Sequence, residues 1–217
     1  IGYQLKSTVT IFLLIIMCIG CTQNDLSSNL DNPSLHNNSS FPLGTAVRFK
    51  PFQKDAQLRR LQQHHFDSYT AGSDMKMNQV MPTEGRFDFS IVDSIIAYAE
   101  EHNQRVFGHN LVWHSSTPEW VRQKAKQNPK WLLPFLKGYI QSYVGRYKGK
   151  VHGWDVVNEG LNTKGAGFRT DTIWYETIGL EYIEKAFEYA HEADPDAILF
   201  YNDFNIERDL EKFNTMI

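Results

Sequence analysis

The run GWDVVNEG, at residues 153–160, ends in an asparagine and a glutamate that could do chemistry. Its Trp and Val residues favour a β-strand, and a mostly apolar run of this length is typical of a strand covered on both faces. Such strands belong to parallel sheets, in which ligands bind at the carboxyl ends of the strands. Asn158 and Glu159 occupy that end, where they either face water in a turn or take part in catalysis.

Regular strand geometry does not suit a joint role for these two residues. Successive strand residues point to opposite faces, so Asn158 and Glu159 cannot both face one ligand in an unbroken strand. We therefore predict that the strand ends or bulges there. Asp155 lies on the same strand, but its earlier position puts it below such a site. We therefore do not assign it the role of a second catalytic carboxylate.

A second stretch, GHNLVWHSSTPEW at residues 108–120, combines His109, Trp113 and His114 at the end of another apolar run. The histidines lack a carboxylate or cysteine at a metal-ligand spacing, which argues against a metal site. They either pack in the core beneath the indole or recognise a ligand together with it. Imidazole donors and an indole face suit a non-ionic ligand rich in hydroxyl groups, so carbohydrate fits this interpretation best.

The elements that must position these residues alternate along the chain. Strand-like runs lie at residues 44–49, 66–70, 105–113, 151–158 and 198–202, and helical patterns at residues 58–65, 89–104, 129–150, 174–197 and 208–217. Repeated β/α units predict an α/β protein with a parallel sheet, either open and doubly wound or a (β/α)8 TIM barrel. No Gly-rich nucleotide motif follows the first strand. We therefore predict the barrel, truncated after about five β/α units.

Charge and composition exclude several function classes. The 217 residues carry 22 Lys and Arg against 25 Asp and Glu, a net charge of −3, so no basic surface for nucleic acid is expected. A neutral substrate is compatible with this charge. No G-x-S-x-G motif is present and both cysteines lie in the first 21 residues, which leaves carboxylate chemistry. We expect no metal and no cofactor.

The first 41 residues predict export. Residues 1–21 contain the apolar run VTIFLLIIMCIG, typical of a signal peptide and too short to span a bilayer comfortably. The segment MCIGC resembles a bacterial lipobox, which makes Cys21 the predicted lipidation site of a cell-envelope lipoprotein. Cys18 stands where leucine is usual, so an ordinary signal peptide and secretion are the alternative. Residues 22–41 are polar and predict a flexible linker to a domain at residues 42–217.

Over that domain the chain resembles glycoside hydrolase family 10, the endo-β-1,4-xylanases with a (β/α)8 barrel. The resemblance rests on GTAV, FDSYTAGSDMKMNQVMPTEGRFDFS, GHNLVWHSSTPEW, GWDVVNEG and YNDFNIE, which occur in family order. It implies that the partner is xylan or xylo-oligosaccharides, that membrane contact is limited to the lipid anchor, and that the complete protein is a monomer.

The resemblance also implies roles for individual residues. Glu159 corresponds to the general acid/base, and Asn158 to the residue that binds the sugar beside the nucleophile. Lys76, His109 and Trp113 correspond to residues of the sugar subsites on the non-reducing side of the cleaved bond.

The family's second carboxylate lies on the seventh strand of the barrel, beyond the five strands predicted here. A retaining glycosidase needs two carboxyl groups about 5 to 5.5 Å apart, so we expect the chain as given to be inactive. Five strands cannot close a barrel, and as an isolated polypeptide it is expected to misfold or aggregate.

Some residues depart from the family pattern. Where the family usually reads Glu-Asn-Glu-Met-Lys-Trp, the chain has Gly72, Ser73, Asp74, Met75, Lys76 and Met77; Ser116 replaces a Gln and Phe204 a Tyr. Each lost hydrogen bond weakens sugar binding by about 0.5 to 3 kcal/mol. The changes leave two alternatives to a xylanase: an inactive xylan-binding surface lipoprotein, or a family member that acts on another β-linked glycan.

Overall fold

The computed structural model describes residues 32–217, which form strands and helices in alternation. The strands are β1 (Gly44–Val47), β2 (Ser68–Ala71), β3 (Arg105–Trp113), β4 (Gly153–Asn158) and β5 (Ile198–Asn202). The helices are α1 (Phe49–Lys54), α2 (Ala56–His65), α3 (Met77–Val80), α4 (Ser90–Glu101), α5 (Glu119–Gln127), α6 (Leu132–Arg146), α7 (Ile173–Ile178), α8 (Glu181–Ala193) and α9 (Leu210–Met216). The predicted strands are confirmed, with boundaries that shift by no more than two residues.

The strands form one parallel sheet in the order β1-β2-β3-β4-β5. A doubly wound sheet reverses its strand order at a switch point. No reversal occurs among the described strands, so that alternative is excluded. The arrangement is that of consecutive units of a (β/α)8 barrel, as predicted, and it brings the carboxyl ends of all five strands to one face.

The helical pattern predicted at residues 174–197 divides into two helices. The Thr172 hydroxyl accepts a hydrogen bond from the Tyr175 backbone N–H and so caps the start of α7. Gly179, with φ at 82°, ends α7 because that left-handed conformation suits glycine. Helices α1, α3 and α5 had no counterpart among the predicted helical patterns, and α1 and α3 are too short to show a clear period.

Strand β4 lies in the core, and all six of its residues are buried. Its Trp154 packs across the backbone of Gly108 on β3, where a Cβ atom would collide with the indole ring. The glycine in GHNLVWH therefore lets the two central strands approach with a tryptophan between them. This packing fixes the strands that end in Trp113 and Asn158.

The predicted signal peptide with Cys21, and residues 22–31 of the predicted linker, lie outside the described residues. The rest of the predicted linker includes a 3-10 helix, His36–Asn38, whose Asn38 amide donates to the Ser34 carbonyl at 2.8 Å. Within residues 32–217 no helix is both long and apolar enough to cross a membrane.

Candidate active site

Glu159 stands just beyond the carboxyl end of β4. The strand ends at Asn158, and Glu159 adopts a left-handed backbone conformation with φ at 55°. This confirms the predicted departure from strand geometry. The backbone N–H of Glu159 still donates to the Asn202 carbonyl at 2.8 Å, so the residue remains attached to β5 while its half-buried side chain turns away from the strand direction.

The Glu159 carboxylate meets an indole donor. Trp113 Nε1 lies 3.0 Å from Glu159 Oε2 and donates a hydrogen bond to it. The Lys76 ammonium sits 4.4 Å from the centroid of the Trp113 ring, in a cation-π contact. Burial lowers the pKa of Lys76, and the nearby Glu159 carboxylate partly offsets that effect. Three predicted site residues, from the ends of β2, β3 and β4, are therefore in contact or in electrostatic range.

His109 is held by the Asp155 carboxylate, a residue without a predicted role. The strand register pairs His109 with Asp155, and His109 Nδ1 lies 2.7 Å from Asp155 Oδ2. Because a carboxylate only accepts, Nδ1 is assigned the hydrogen and the ring orientation is fixed. The Asp155 side chain is 8% exposed, so the contact is protected from water. Sequence spacing alone could not reveal this partner, since it depends on the strand register.

Asn158 is fixed in a similar way by a residue from β5. The register pairs Asn158 with Asn202, and the Asn202 side-chain amide donates to Asn158 Oδ1 at 2.7 Å. Asn158 is buried, so the bond determines which way its amide points. Its NH2 group keeps its two hydrogens for other acceptors. The YND motif contains Asn202, but only the pairing of β4 with β5 identifies its function.

His114 lies beside the same site without joining the His109 pair. Burial lowers the pKa of His114, and the Arg169 charge lowers it further, while Glu159 raises it. Its backbone carbonyl accepts from the Arg122 guanidinium. Among the described residues, no three His, Cys, Asp or Glu side chains form a group that could hold a metal ion.

The remaining carboxylates near the strand ends are already engaged. Asp155 accepts from His109, and Asp203, just after β5, forms an ion pair with Lys212 on α9. The Glu159 carboxylate accepts a hydrogen bond from one side-chain donor, the neutral Trp113 N–H. The described site can thus supply a single proton donor or acceptor, next to donors suited to hydroxyl groups.

Four of the residues that depart from the family pattern fall into two groups. Asp74 accepts from the Phe49 backbone N–H at 2.7 Å, and Met77 and Ser116 are buried, so these three have structural contacts. Gly72 is different: a Cβ atom there would make only ordinary contacts, 3.5 Å from the Val47 carbonyl oxygen and 3.6 Å from Arg48 Cγ. A Cβ atom can therefore be added at position 72 without a collision.

Comparisons with known proteins give the same assignment as the motifs. Residues 34–217 match the model of glycosyl hydrolase family 10. The β-1,4-xylanase of Dictyoglomus thermophilum is 36% identical over 214 residues, covering 98% of this chain and 59% of the relative. An endo-1,4-β-xylanase of Geobacillus stearothermophilus is 42% identical over 171 residues, covering 77% of this chain and 50% of the relative.

Solved structures of xylanases share the fold. Native xylanase 10B of Thermotoga maritima superposes with a TM-score of 0.78 at 36% identity, covering 84% of this chain and 57% of that one. Xylanase 10B of Thermotoga petrophila, solved with xylobiose, gives a TM-score of 0.78 at 36% identity, covering 85% and 57%. The chain thus spans little more than half the length of these relatives. It belongs to glycosyl hydrolase family 10.

Proposed function

We propose that the complete protein is an endo-1,4-β-xylanase that cleaves internal xylosidic bonds of xylan with retention of configuration. The observation that carries the proposal is the placement of Glu159 at the carboxyl end of β4, with the Trp113 indole donating to it at 3.0 Å. Support also comes from the xylanases among its relatives, one of which is solved with xylobiose.

Glu159 is proposed to act twice. As the general acid it protonates the departing glycosidic oxygen while a nucleophilic carboxylate attacks the anomeric carbon. As the general base it then takes a proton from the water that attacks the glycosyl ester and frees the nucleophile. The Trp113 N–H holds one carboxyl oxygen, Oε2, which leaves Oε1 to carry the proton.

The residues around Glu159 are proposed to bind the sugars on the non-reducing side. Asn158 offers its NH2 group, since its oxygen already accepts from Asn202. His109 offers Nε2, since Nδ1 is held by Asp155. Lys76 and Trp113 provide an ammonium and an indole in contact with each other, which suits a sugar ring with hydroxyl groups at its edge.

The second carboxylate is proposed to come from a part of the protein that follows residue 217. Asp155 and Asp203 are engaged with His109 and Lys212, and neither is placed as a nucleophile beside Glu159. The relatives extend well beyond the region that this chain covers. We expect a glutamate at the end of a further strand, with its carboxyl group about 5 to 5.5 Å from that of Glu159.

Export with a lipid anchor at Cys21 is a separate proposal, supported only by the apolar run VTIFLLIIMCIG and the MCIGC segment. Mass spectrometry of the mature N-terminus from a bacterial host would decide it. A lipid-modified Cys21 supports the anchor, and an unmodified N-terminus at another residue contradicts it.

The activity is tested with the complete protein and its Glu159→Ala variant. We expect kcat/KM on xylan to fall by about 10² to 10⁴, and kcat/KM on an aryl β-xylobioside with a dinitrophenolate leaving group to fall far less, because that leaving group needs no proton. Glu188→Ala, which alters a glutamate on the surface of α8, should leave both values unchanged. Equal losses on both substrates would refute the acid/base role.

The same preparation separates the alternative functions. A wild-type protein that binds xylan but hydrolyses neither substrate would favour the inactive binding protein, an interpretation to which Gly72 and Ser73 lend support because they lack the family's usual Glu and Asn. Cleavage of another β-linked glycan in preference to xylan would favour a family member with a different substrate.

A further inference from the structure

A fully buried ion pair lies beside the segment that follows Glu159. Lys212 Nζ is 2.7 Å from Asp203 Oδ1, and both side chains are 0% exposed. The Lys212 ammonium also sits 3.9 Å from the centroid of the Phe204 ring. An apolar pair of similar volume usually stabilises a core at least as well as buried charges do. The role of the pair must therefore be sought in its contacts, since its burial alone does not explain it.

Asp203 accepts hydrogen bonds with both of its oxygens. Oδ1 accepts from Lys212 and, at 2.9 Å, from the Phe204 backbone N–H. Oδ2 accepts from the Tyr201 hydroxyl at 2.8 Å and from the Leu161 backbone N–H at 3.2 Å. Burial and the Asp203 carboxylate raise the pKa of Tyr201, so its hydroxyl remains a donor. Through Leu161 the pair reaches the segment that carries Glu159.

Gly160, which lies between Glu159 and Leu161, is closely packed. A Cβ atom on Gly160 would lie 3.0 Å from the Tyr182 hydroxyl and 3.2 Å from the Tyr201 hydroxyl. Glu159 itself needs support, since a left-handed conformation is unfavourable for a residue with a side chain. Contacts on both sides of Glu159 must therefore hold it.

Helix α9 holds the rest of the loop that follows Glu159. The Asp209 carboxylate accepts from the Gly165 N–H at 2.8 Å, and the Thr215 hydroxyl accepts from the Gly167 N–H at 3.1 Å. Lys212 lies between these two residues on α9. Three contacts thus hold the loop: Leu161 with Asp203 of the buried pair, Gly165 with Asp209, and Gly167 with Thr215.

We propose that Asp203 and Lys212 are positioning residues, which fix the backbone after Glu159 and thereby aim its carboxyl group at the departing glycosidic oxygen. The proposal rests on the function proposed above. Neither residue touches the reacting atoms, and their effect passes through the Leu161 N–H and the packed Gly160.

The test compares two substrates in the complete protein carrying Lys212→Met. Methionine has an uncharged side chain of similar length to that of lysine. We expect kcat/KM on xylan to fall about tenfold and kcat/KM on the dinitrophenyl xylobioside to fall less than about twofold, since only the first needs a well-aimed proton donor. Lys185→Met, which alters an ion-paired lysine on the surface of α8, should change neither value. An equal loss on both substrates, or no loss on either, would overturn the proposal.

Tyr201→Phe provides a milder variant should Lys212→Met fail to fold. It removes one hydrogen bond to Asp203 and leaves the ion pair in place. The same split between substrates, at a smaller magnitude, is expected.

Hydrogen exchange separates this proposal from the proposed function. The Leu161 amide should exchange faster in Lys212→Met than in wild type, by more than the global loss of stability explains. That result would uphold the positioning of the loop even if the wild-type protein cleaved no xylan. Unchanged exchange at Leu161 would refute it even in an active xylanase.

Discussion

Trp113 and Glu159 lie 46 residues apart in the chain, yet the indole N–H of the first donates to the carboxylate of the second at 3.0 Å. The contact exists because β3 and β4 are paired and end together, with Trp113 opposite Asn158 in the register. A hydrogen bond to Oε2 limits rotation of the Glu159 carboxyl group and leaves Oε1 available to another partner.

Replacing Trp113 by Phe tests this contact. The variant keeps an aromatic ring for sugars and for Lys76 but removes the N–H. A hydrogen bond to a charged group contributes about 1.5 to 3 kcal/mol, so kcat/KM on xylan should fall by a factor of about 10 to 160. Steady-state kinetics with the complete protein measure the effect.

Trp120→Phe is the matched control. Its indole N–H donates to the Met81 carbonyl at 3.1 Å, away from Glu159. Trp120→Phe should lower the melting temperature and leave kcat/KM on xylan nearly unchanged. Similar kinetic losses in the two variants would show that the Trp113 N–H has no special role.

Much of this site follows from the sequence, because strand ends are marked by local residue types. GWDVVNEG identified a buried strand and its carboxyl end, and the predicted break at Glu159 appears as a φ of 55°. The partners of the site residues did not follow. Contacts of the site residues with Asp155 and Asn202 depend on strand register, and nothing in the sequence indicated that Lys212 pairs with Asp203.

Asp155→Asn should weaken sugar binding through His109. An Asn at position 155 can face Nδ1 with its NH2 group, which moves the ring hydrogen to Nε2 and changes what His109 offers a ligand. We expect KM for xylo-oligosaccharides to rise by about two- to tenfold, the range of one hydrogen bond, with a smaller change in kcat. Nitrogen NMR of the His109 ring in the same variant reports the tautomer.

The control for this change is Asp67→Asn. Asp67 accepts from the Leu43 N–H at 2.8 Å, just before β2 begins and so at the opposite end of the sheet. It should leave KM unchanged. An unaltered KM and an unaltered tautomer in Asp155→Asn would contradict the proposed role of the pair.

Gly72→Glu should strengthen binding on the non-reducing side. A Cβ atom at position 72 makes only ordinary contacts, and the family usually has Glu there. One recovered hydrogen bond contributes about 0.5 to 1.5 kcal/mol, so KM for xylo-oligosaccharides should fall about two- to tenfold. Gly72→Leu fills the same space without an acceptor, and no advantage of Glu over Leu would show that this position does not contact the sugar.

The lowered pKa of His114 predicts a loss of stability in mild acid. Burial and the Arg169 charge disfavour the protonated ring in the folded protein, whereas the unfolded chain takes up the proton near pH 6.5. Between that pH and the lower folded pKa the unfolded state binds more protons, so the free energy of unfolding decreases as the pH falls below 6.5.

His114→Gln should therefore flatten the pH dependence of stability below pH 6.5, as measured by urea unfolding of the complete protein. One proton corresponds to a slope of at most about 1.4 kcal/mol per pH unit, and partial exposure of the ring reduces it. His152, whose pKa burial also lowers, contributes with the same sign, so the curve should flatten only in part. His152→Gln measures that share. A His114→Gln curve that runs parallel to wild type would mean that the ring is equally free to take up a proton in both states.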